Sequence, residues 1–496
     1  MNRLEMIAAT RSARQNPTVE IQPAICSFLR FCLGGMNNCY YHLPPRRDKD
    51  LSSTLSMQKH KLILWSLTVA LSGFLFGLDT AVISGAEQTI QKLWHLDNSM
   101  HGWAISIALF GTVLGAMSGG FFADKLGRKL SLFWVGALFL VSSLGSALSQ
   151  GVYIFMVFRL IGGVCIGASS VVSPLYISEI APPRRRGFLV ALFQFNIVFG
   201  ILIAYVSNYL LQRTNSPDDW RWMLGIVGIP SAIFTLLTLL ISESPRWLAL
   251  KKHDVTAAKN VLREIDPDTA EATLASILAA HERAEASPNK AFFSSHYRFP
   301  ILLAFLIALF NQLSGINAII YYAPRVFQMT GLSQSSALLS TAGIGLVNLV
   351  FTMLGLSLID RFGRRALMYI GSLGYIISLS LMAMAFYRNS FAGMTLFVFA
   401  FIASHAVGQG AVIWVFIGEI FPNEVRAAGQ SLGCFTHWIF AAVITKVFPD
   451  VAGRFGGAPI FAFFAVMMVL QLLYVAFMMP ETKGIALEDM ESRIAH

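Results

Sequence analysis

Recurring apolar segments, each long enough to cross a lipid bilayer, constrain this sequence more than any other feature. A helix needs about 20 consecutive apolar residues to cross roughly 30 Å of hydrocarbon, whereas a buried helix of a soluble protein is usually shorter. Of the 496 residues, 55% are hydrophobic and only 13% are charged, which is too little polar surface for a soluble protein of this length. The sequence therefore predicts an all-α membrane protein with twelve transmembrane helices. We expect these spans at residues 61–85, 101–123, 130–149, 152–178, 188–211, 223–241, 299–328, 335–359, 366–387, 393–420, 426–448 and 456–479.

A polar stretch separates the first six spans from the last six. Within it, Asp254 is a favourable N-cap before VTAAKNVLREI, and Asp266-Pro267 is expected to open a second helix. This pattern predicts a helical linker on the cytoplasmic side. The expected regions are an N-terminal extension at 1–60, six-helix halves at 61–242 and 299–480, the linker at 243–298, and a cytoplasmic tail at 481–496.

The N-terminal extension differs from the rest of the chain. Its apolar run, residues 21–33, is too short to span a membrane. Met57 stands directly before a short polar stretch and the first span. We expect residues 1–56 to be disordered or mis-annotated, with translation starting at Met57. The extension also holds three of the five cysteines, Cys26, Cys32 and Cys39. The other two, Cys165 and Cys434, lie inside predicted spans and are expected to be free thiols.

The basic residues fix the expected orientation in the membrane. The net charge of +10 does not indicate nucleic-acid binding, because Lys and Arg are concentrated in short loops on one side of the predicted bundle. Loops rich in Lys and Arg remain in the cytoplasm, so we expect a multi-pass protein of the cell (inner) membrane with both termini cytoplasmic. The basic loops contain Lys125, Arg128, Lys129, Arg184, Arg185, Arg186, Arg361, Arg364, Arg365 and Arg426.

Three motifs occur twice with nearly the same separation. Asp124-Lys-Leu-Gly-Arg-Lys recurs 236 residues later as Asp360-Arg-Phe-Gly-Arg-Arg. The Glu-Ile-x-Pro motif at Glu179 recurs 240 residues later at Glu419, and Glu243 has a counterpart 238 residues later at Glu481. Three unrelated motifs that each recur after nearly the same number of residues indicate a duplicated six-helix unit, a known architecture of membrane transporters.

The most specific motif lies in the seventh span and reads Gln312-Leu-Ser-Gly-Ile-Asn317-Ala-Ile-Ile-Tyr-Tyr. Together with the repeated motifs, it resembles the sugar porter family of the major facilitator superfamily, over residues 61–485. That family includes bacterial proton-coupled sugar symporters and glucose facilitators. The resemblance implies a substrate site between two halves that alternate between outward-open and inward-open states. The family motif begins with two glutamines. Asn311 stands at the first position here, so we expect a different preference for substrate size.

Two buried charges are candidates for proton coupling. Asp79 in span one and Arg159 in span four lie at similar depth, at about 1.5 Å per residue, so they are expected to pair. A charge at the bilayer centre costs at least about 2.5–3.5 kcal/mol and usually has a role and a partner. The resemblance implies that Asp79 takes the proton and that Arg159 is its partner. The alternative is a purely structural ion pair.

Polar and aromatic residues inside the spans are candidates for sugar binding. An amide offers both donors and an acceptor without a charge, and an indole combines an apolar face with an N–H donor. The alternatives are interhelical hydrogen bonds for the amides, and a packed, neutral ring for the histidine. From the resemblance, the expected substrate-binding residues are Gln194, Gln312, Asn317, Asn348, Trp414, His437 and Trp438.

The repeated loop motifs are candidates for gating. The resemblance implies that their charged residues tie helix ends together on the cytoplasmic side in the outward-facing state. Positive-inside topology explains the arginines alone, since acidic residues contribute little to orientation. Span ten reads Gly408-Gln409-Gly410-Ala411, without the proline of the family, so its flexibility is expected to differ. The expected gating residues are Asp124, Arg128, Glu179, Arg186, Glu243, Asp360, Arg364, Glu419, Arg426 and Glu481.

The sequence shows no nucleotide-binding P-loop, metal-ligand cluster or hydrolase nucleophile motif. We therefore predict a transporter that is not an enzyme and has no cofactor and no metal. Its expected partners are a small-molecule sugar, a proton and the lipid bilayer. We expect no nucleic acid partner and a monomer. The predicted function is monosaccharide import by proton symport. Two alternatives stay open: an uncoupled sugar or polyol (inositol-like) facilitator, and a non-transporting sugar sensor, although sensors usually have longer tails.

Overall fold

The computed structural model describes residues 49–212, 216–286, 292–422 and 424–484. It divides into two units, Met1–Thr54 and Leu55–His496. The second unit contains every membrane span described below, because the helix that begins at Lys49 has its membrane span at Lys61–Leu93. The predictions for residues 1–48, including their three cysteines, lie outside the described residues, as does most of the C-terminal tail. Cys165 and Cys434 are free thiols, as predicted.

Twelve spans, as predicted, are present in the described part of the chain. We number them 1 to 12 in chain order. Spans 1 to 5 are the single helices Lys49–Leu93, Asn98–Leu126, Arg128–Leu148, Val152–Ile180 and Pro183–Gln212, and span 6 joins Asp219–Gly225 to Gly228–Thr238. Span 7 joins Arg298–Leu313 to Ile316–Gln328, span 8 is Gln334–Phe362, and span 9 is Arg364–Tyr387. Span 10 joins Met394–Val407 to Gln409–Glu419, span 11 is Arg426–Phe455, and span 12 is Gly457–Phe477.

The linker forms three short helices, Pro245–Leu250, Val255–Ile265 and Ala270–Ala286. The Asp254 carboxylate caps the second of these, as predicted, by accepting a 2.8 Å hydrogen bond from the Ala257 amide. The third helix begins at Ala270, later than Asp266-Pro267. Asp266 instead ends the second helix, and its Oδ1 accepts from the Asp268 amide at 3.2 Å, which forms a turn before the third helix.

Glycines bring spans 2 and 4 into backbone contact, since residues without a side chain let helices approach closely in a membrane. A Cβ on Gly115 would lie 2.0 Å from the Val164 carbonyl oxygen, and one on Gly163 would lie 1.8 Å from the Ala108 carbonyl oxygen. Any larger residue at these positions would separate the two helices. This packing fixes span 4, which carries Arg159, against the rest of the first half.

The surface of the bundle is apolar along the spans. Large side chains such as Met117 and Phe477 are exposed, at 66% and 82%. A surface of this kind suits hydrocarbon rather than water. We call the end of the bundle that carries the linker the linker face, and the other end the far face. Lys61 at the start of span 1 contacts Glu264 of the linker at 3.1 Å, which places the start of span 1 at the linker face.

Candidate substrate and proton site

Span 7 breaks in the middle of its motif, and the break shapes the candidate sugar site. Gly315 has a φ of 84°, a left-handed conformation that glycine adopts without strain. The Ser314 hydroxyl donates to the Asn311 carbonyl oxygen at 2.6 Å and accepts from the Ile316 amide at 3.3 Å. The polar side chains of the motif therefore lie on either side of an interrupted helix, a common arrangement for substrate sites in transporters.

Gln312 is the centre of a chain of buried polar groups across this break. Its Oε1 accepts a 2.6 Å hydrogen bond from Asn317 Nδ2. Its Nε2 donates to Asn311 Oδ1 at 3.0 Å and lies 3.2 Å from both ring nitrogens of His437 in span 11. Amide and imidazole groups in one connected set can exchange these bonds for bonds to sugar hydroxyls, because each group offers either a donor or an acceptor.

Aromatic rings extend the polar chain on the span 10 and span 11 side. The His437 ring lies between Trp414 and Trp438, with centroid distances of 5.0 and 4.7 Å. Phe76 of span 1 approaches Trp438 at 5.7 Å, so an aromatic contact joins the two halves at this point. The Trp438 side chain is buried. The arrangement offers apolar ring faces beside hydrogen-bonding groups, which suits a pyranose.

The structure brings together five of the seven predicted sugar-binding residues, all of them in the second half. The other two lie apart from this connected set. Gln194 is half-buried on span 5 of the first half. Asn348 is half-buried on span 8, where its Oδ1 accepts from Thr352 of the same helix at 3.3 Å. Their part in sugar binding stays a prediction.

Asp79 and Arg159 form the buried ion pair that their depth in the sequence predicts. Arg159 Nη1 donates to Asp79 Oδ1 at 2.7 Å, and Nη2 lies 3.4 Å from the Asp79 carbonyl oxygen. The two residues are 2% and 1% exposed, so water does not screen the pair. Asp79 Oδ2 and Arg159 Nε are buried and have no hydrogen-bond partner among the described residues.

The linker-face motif of the first half is one connected ion cluster. Arg128 makes a bidentate pair with Glu179, with two N···O distances of 3.0 Å, and its Nη1 donates to Asp124 at 3.1 Å. The Glu243 carboxylate accepts from the backbone amides of Arg128 and Lys129 at 2.9 and 3.1 Å. Removal from water raises the pKa of Glu243 above its ordinary value, against the opposing effect of these amides.

The second half repeats this cluster bond for bond. Arg364 pairs with Glu419 at 3.0 and 2.8 Å and with Asp360 at 3.0 Å. Glu481 accepts from the backbone amide of Arg364 at 3.0 Å. The Thr482 hydroxyl adds a 2.6 Å hydrogen bond to Glu419. The same geometry in both halves is what the duplicated motifs predict.

Two predicted gating residues lie outside these clusters. No ion pair between described residues includes Arg186 or Arg426. Arg186 is exposed at the start of span 5, and Arg426 Nε donates to the Phe421 carbonyl oxygen at 3.3 Å. In this structure Arg128 and Arg364 make the bidentate pairs with Glu179 and Glu419, and a gating role of Arg186 and Arg426 stays a prediction.

Span 10 is broken at Gly408 although it lacks the proline of the family motif. Gly408 has φ −84° and ψ −100°, which is not helical. The buried Gln409 side chain after the break donates to Gln471 of span 12, and Gln471 donates to Ser372 of span 9 at 2.8 Å. Polar side chains therefore hold this break between three spans.

Comparison with known proteins agrees with this geometry. A model of the family described as "Sugar (and other) transporter" matches residues 65–493. The chain belongs to this transporter family. It is 36% identical over 456 residues to the arabinose-proton symporter of Bacillus subtilis, covering 90% of this chain and 98% of that protein. It is 32% identical over 478 residues to the D-xylose-proton symporter of Escherichia coli, covering 88% and 97%.

A solved structure of a similar protein identifies the fold. The inward-open conformation of the xylose transporter XylE from E. coli matches with a TM-score of 0.78 and 31% identity, covering 87% of this chain and 99% of that chain. XylE bound to 6-bromo-6-deoxy-D-glucose, described as a major facilitator superfamily proton:xylose symporter, matches with a TM-score of 0.73. The chain therefore has the major facilitator fold and is a multi-pass membrane transporter, as the motifs predicted.

Sequence reasoning missed one charged cluster in this transporter. Glu87 in span 1, His101 in span 2 and Arg325 in span 7 lie together at the far face. Arg325 falls inside the predicted span 299–328, so the rule that a charge within a span has a partner should have singled it out. Glu87 falls two residues beyond the predicted end of span 1, and this small error in the boundary hid it.

Proposed function

We propose that this chain imports a monosaccharide together with a proton by alternating access. The observation that carries the proposal is the buried Asp79–Arg159 pair, whose second carboxylate oxygen has no partner among the described residues. The relatives named as arabinose-proton and D-xylose-proton symporters support both the substrate class and the coupling.

The ion pair explains how binding of a proton could change the arrangement of spans 1 and 4. While Asp79 is ionised, its charge compensates Arg159, and the pair as a whole is neutral. A proton on Asp79 Oδ2 leaves the Arg159 guanidinium as an uncompensated buried charge, which is strongly unfavourable in a low-dielectric interior. The first half then gains free energy by rearranging spans 1 and 4. Proton binding thereby changes the relative stability of the two access states.

The sugar acts on the other half of the same site. In this proposal, hydroxyl groups replace the hydrogen bonds among Gln312, Asn317 and His437, while the pyranose packs against Trp414 and Trp438. Asn348 and Gln194 would contact the sugar from spans 8 and 5 as the halves close around it. Phe76 on span 1 lies against Trp438. A sugar that displaces Trp438 would therefore also displace span 1, which carries Asp79.

The linker-face clusters would take part in gating on that side by holding the helix ends of each half together. Each cluster ties the ends of neighbouring helices of one half, so each half moves as one body. We further propose that the linker face is cytoplasmic, that both termini lie inside the cell, and that the protein is a monomer in the inner membrane. The basic loops at the linker face support this orientation.

Uptake of labelled sugars tests the proposal. Cells that lack their own transporters and express this chain would be offered labelled hexoses, pentoses and inositol, with and without a protonophore. We expect accumulation of one monosaccharide that collapses with the protonophore. Uptake that survives the protonophore would indicate an uncoupled sugar or polyol facilitator. Absence of uptake for every label, with the protein present in the membrane, would favour a sensor.

A further inference from the structure

Contacts between the halves close the far face of the bundle. Gly102 of span 2 packs so tightly against span 11 that a Cβ on it would lie 2.0 Å from the Lys446 carbonyl oxygen. A Cβ on Gly453 would lie 2.5 Å from Asn98 Nδ2. The Tyr205 hydroxyl of span 5 donates to the Ile320 carbonyl oxygen of span 7 at 2.9 Å. The structure thus has its far face shut.

An ion pair between the halves is buried inside this closure. Arg325 of span 7 donates from Nε to Glu87 Oε1 at 3.0 Å and from Nη2 to Glu87 Oε2 at 2.6 Å. The Glu87 side chain is fully buried, whereas that of Arg325 is 21% exposed. A bidentate guanidinium–carboxylate pair of this kind is strong and directional. It differs from the Asp79–Arg159 pair and the linker-face pairs, each of which lies within one half.

Two further side chains complete the cluster. His101 Nε2 lies 2.8 Å from Glu87 Oε2, and the His101 side chain is fully buried. Since a carboxylate oxygen only accepts, His101 Nε2 carries the proton of this contact, and His101 Nδ1 has no hydrogen-bond partner in the part of the chain that the structure describes. Gln91 Oε1 accepts a second hydrogen bond from Arg325 Nη2 at 2.6 Å. Three donors from two helices therefore satisfy the Glu87 carboxylate.

We propose that Glu87, His101 and Arg325 form a charge lock that holds the far face shut and must break each time the transporter opens there. The inference rests on the proposed alternating-access function and adds residues to it. Opening separates span 1 from span 7 and admits water, which hydrates both charges once they part. Water can reach the ion pair along the exposed part of the Arg325 side chain. The lock therefore adds to the stability of the state that is closed at the far face and open at the linker face.

Single and double substitutions should differ in a way that identifies the lock. Arg325→Gln leaves Glu87 as a buried carboxylate without its cation, and opening the far face relieves that penalty by hydration. Glu87→Gln leaves Arg325 without its anion in the same way. Combining the two substitutions removes both charges, so the double variant should favour the open face less than either single variant. This non-additivity is the signature of a direct pair.

The rate at which a disulfide forms across the far face measures how often that face is closed, and the assay needs no sugar. Asn98→Cys and Gly453→Cys would be introduced after the five native cysteines are replaced by alanine, and oxidative cross-linking would be followed by peptide mapping. We expect rapid cross-linking in the parent and at least about fivefold slower cross-linking with Arg325→Gln or Glu87→Gln, the lower end of typical coupling between sites. The matched control is Arg221→Gln, since Arg221 also lies at the far face but pairs with Asp218 of its own half.

Cross-linking of Arg325→Gln and Glu87→Gln at the control rate would overturn the proposal, even if their unfolding temperatures fall, because a merely structural pair changes stability alone. If Arg325→Gln does not fold, the nearly isosteric Glu87→Gln decides the question. The assay needs no transport, so a failure to detect sugar uptake would count against the proposed function and not against the lock.

Discussion

Arg159 donates to one carboxylate oxygen of Asp79, and the second oxygen of that carboxylate is buried with no partner in the described residues. The contact with Arg159 and the oxygen proposed to take the proton therefore lie on one carboxylate, so a proton there removes the charge that compensates Arg159. Asp79→Asn keeps an acceptor for Arg159 but cannot take up a proton at this site. We expect this variant to lose accumulation of sugar against a gradient and to retain exchange of sugar between the two sides. Counterflow in proteoliposomes, with equal proton concentrations, measures the retained exchange.

The control for this variant is Asp218→Asn, which removes a carboxylate from an exposed ion pair within the first half. It should accumulate sugar as the parent does. Loss of both accumulation and counterflow in Asp79→Asn, with the protein folded, would contradict a role limited to the proton and would make Asp79 a structural partner of Arg159.

His437 provides a test of the sugar site. A nitrogen of its ring lies within hydrogen-bond distance of Gln312, and the ring packs between two indoles. His437→Gln keeps hydrogen-bonding capacity and should bind sugar with similar affinity, whereas His437→Ala should weaken binding about tenfold, because one lost hydrogen bond costs roughly 1–1.5 kcal/mol. Quenching of tryptophan fluorescence on titration with the transported sugar measures the Kd. His253→Asn on the exposed linker should leave the Kd unchanged, and equal Kd values for both His437 variants would remove this residue from the site.

The break in span 7 depends on Gly315. Alanine there would adopt a left-handed conformation at a cost of about 1–2 kcal/mol, and its Cβ would lie 2.5 Å from the Phe464 ring. We expect Gly315→Ala to lower the unfolding temperature in detergent and to abolish sugar binding. Gly331→Ala is the matched control, because Gly331 has a φ of 89° with open space around it. If both variants unfold at the same temperature, contact with Phe464 has no part in the effect.

Stability should depend on pH through Glu243. Burial raises the pKa of this carboxyl in the folded protein, so the folded protein holds its proton to a higher pH than the unfolded chain does. The stability that Glu243 contributes is therefore present below its ordinary pKa and is lost as pH rises through the raised value. Relative to Glu243→Gln, the parent should lose stability over this window, as measured by thermal unfolding in detergent at a series of pH values.

Glu271 supplies a control of opposite sign. Its hydrogen bond with Lys259 lowers the pKa of this linker carboxylate. The parent should therefore gain stability relative to Glu271→Gln as pH rises through the lowered value toward the ordinary one. If stability changes with pH in the same direction for both glutamates, the cause assigned to the raised pKa of Glu243 is wrong.

The sequence predicts the parts of this molecule that depend on local pattern and depth. Apolar length places the twelve spans, and counting residues from the ends of spans 1 and 4 places Asp79 opposite Arg159. The duplicated motifs predict two equal linker-face clusters, and the structure shows them around Arg128 and Arg364. These features follow from periodicity and from the geometry of single helices, which a sequence contains directly.

The sequence pattern does not predict features that depend on helix rotation and on backbone dihedral angles. The left-handed Gly315 breaks span 7, yet the apolar length of residues 299–328 predicts an unbroken span. Glu87 and Arg325 lie 238 positions apart, an offset within the range of the repeated motifs, but the two residues differ in type and so form no repeated motif. Such contacts are decided by how the two halves pack.

Sugar-dependent proton movement tests the central claim most directly. Purified transporter in proteoliposomes would receive the sugar identified by uptake, with a pH-sensitive dye outside and no other gradient. The account predicts alkalinisation of the outside medium in step with sugar entry for the parent, and sugar-independent pH for Asp79→Asn. Sugar entry without any proton movement in the parent would contradict proton symport and leave an uncoupled facilitator.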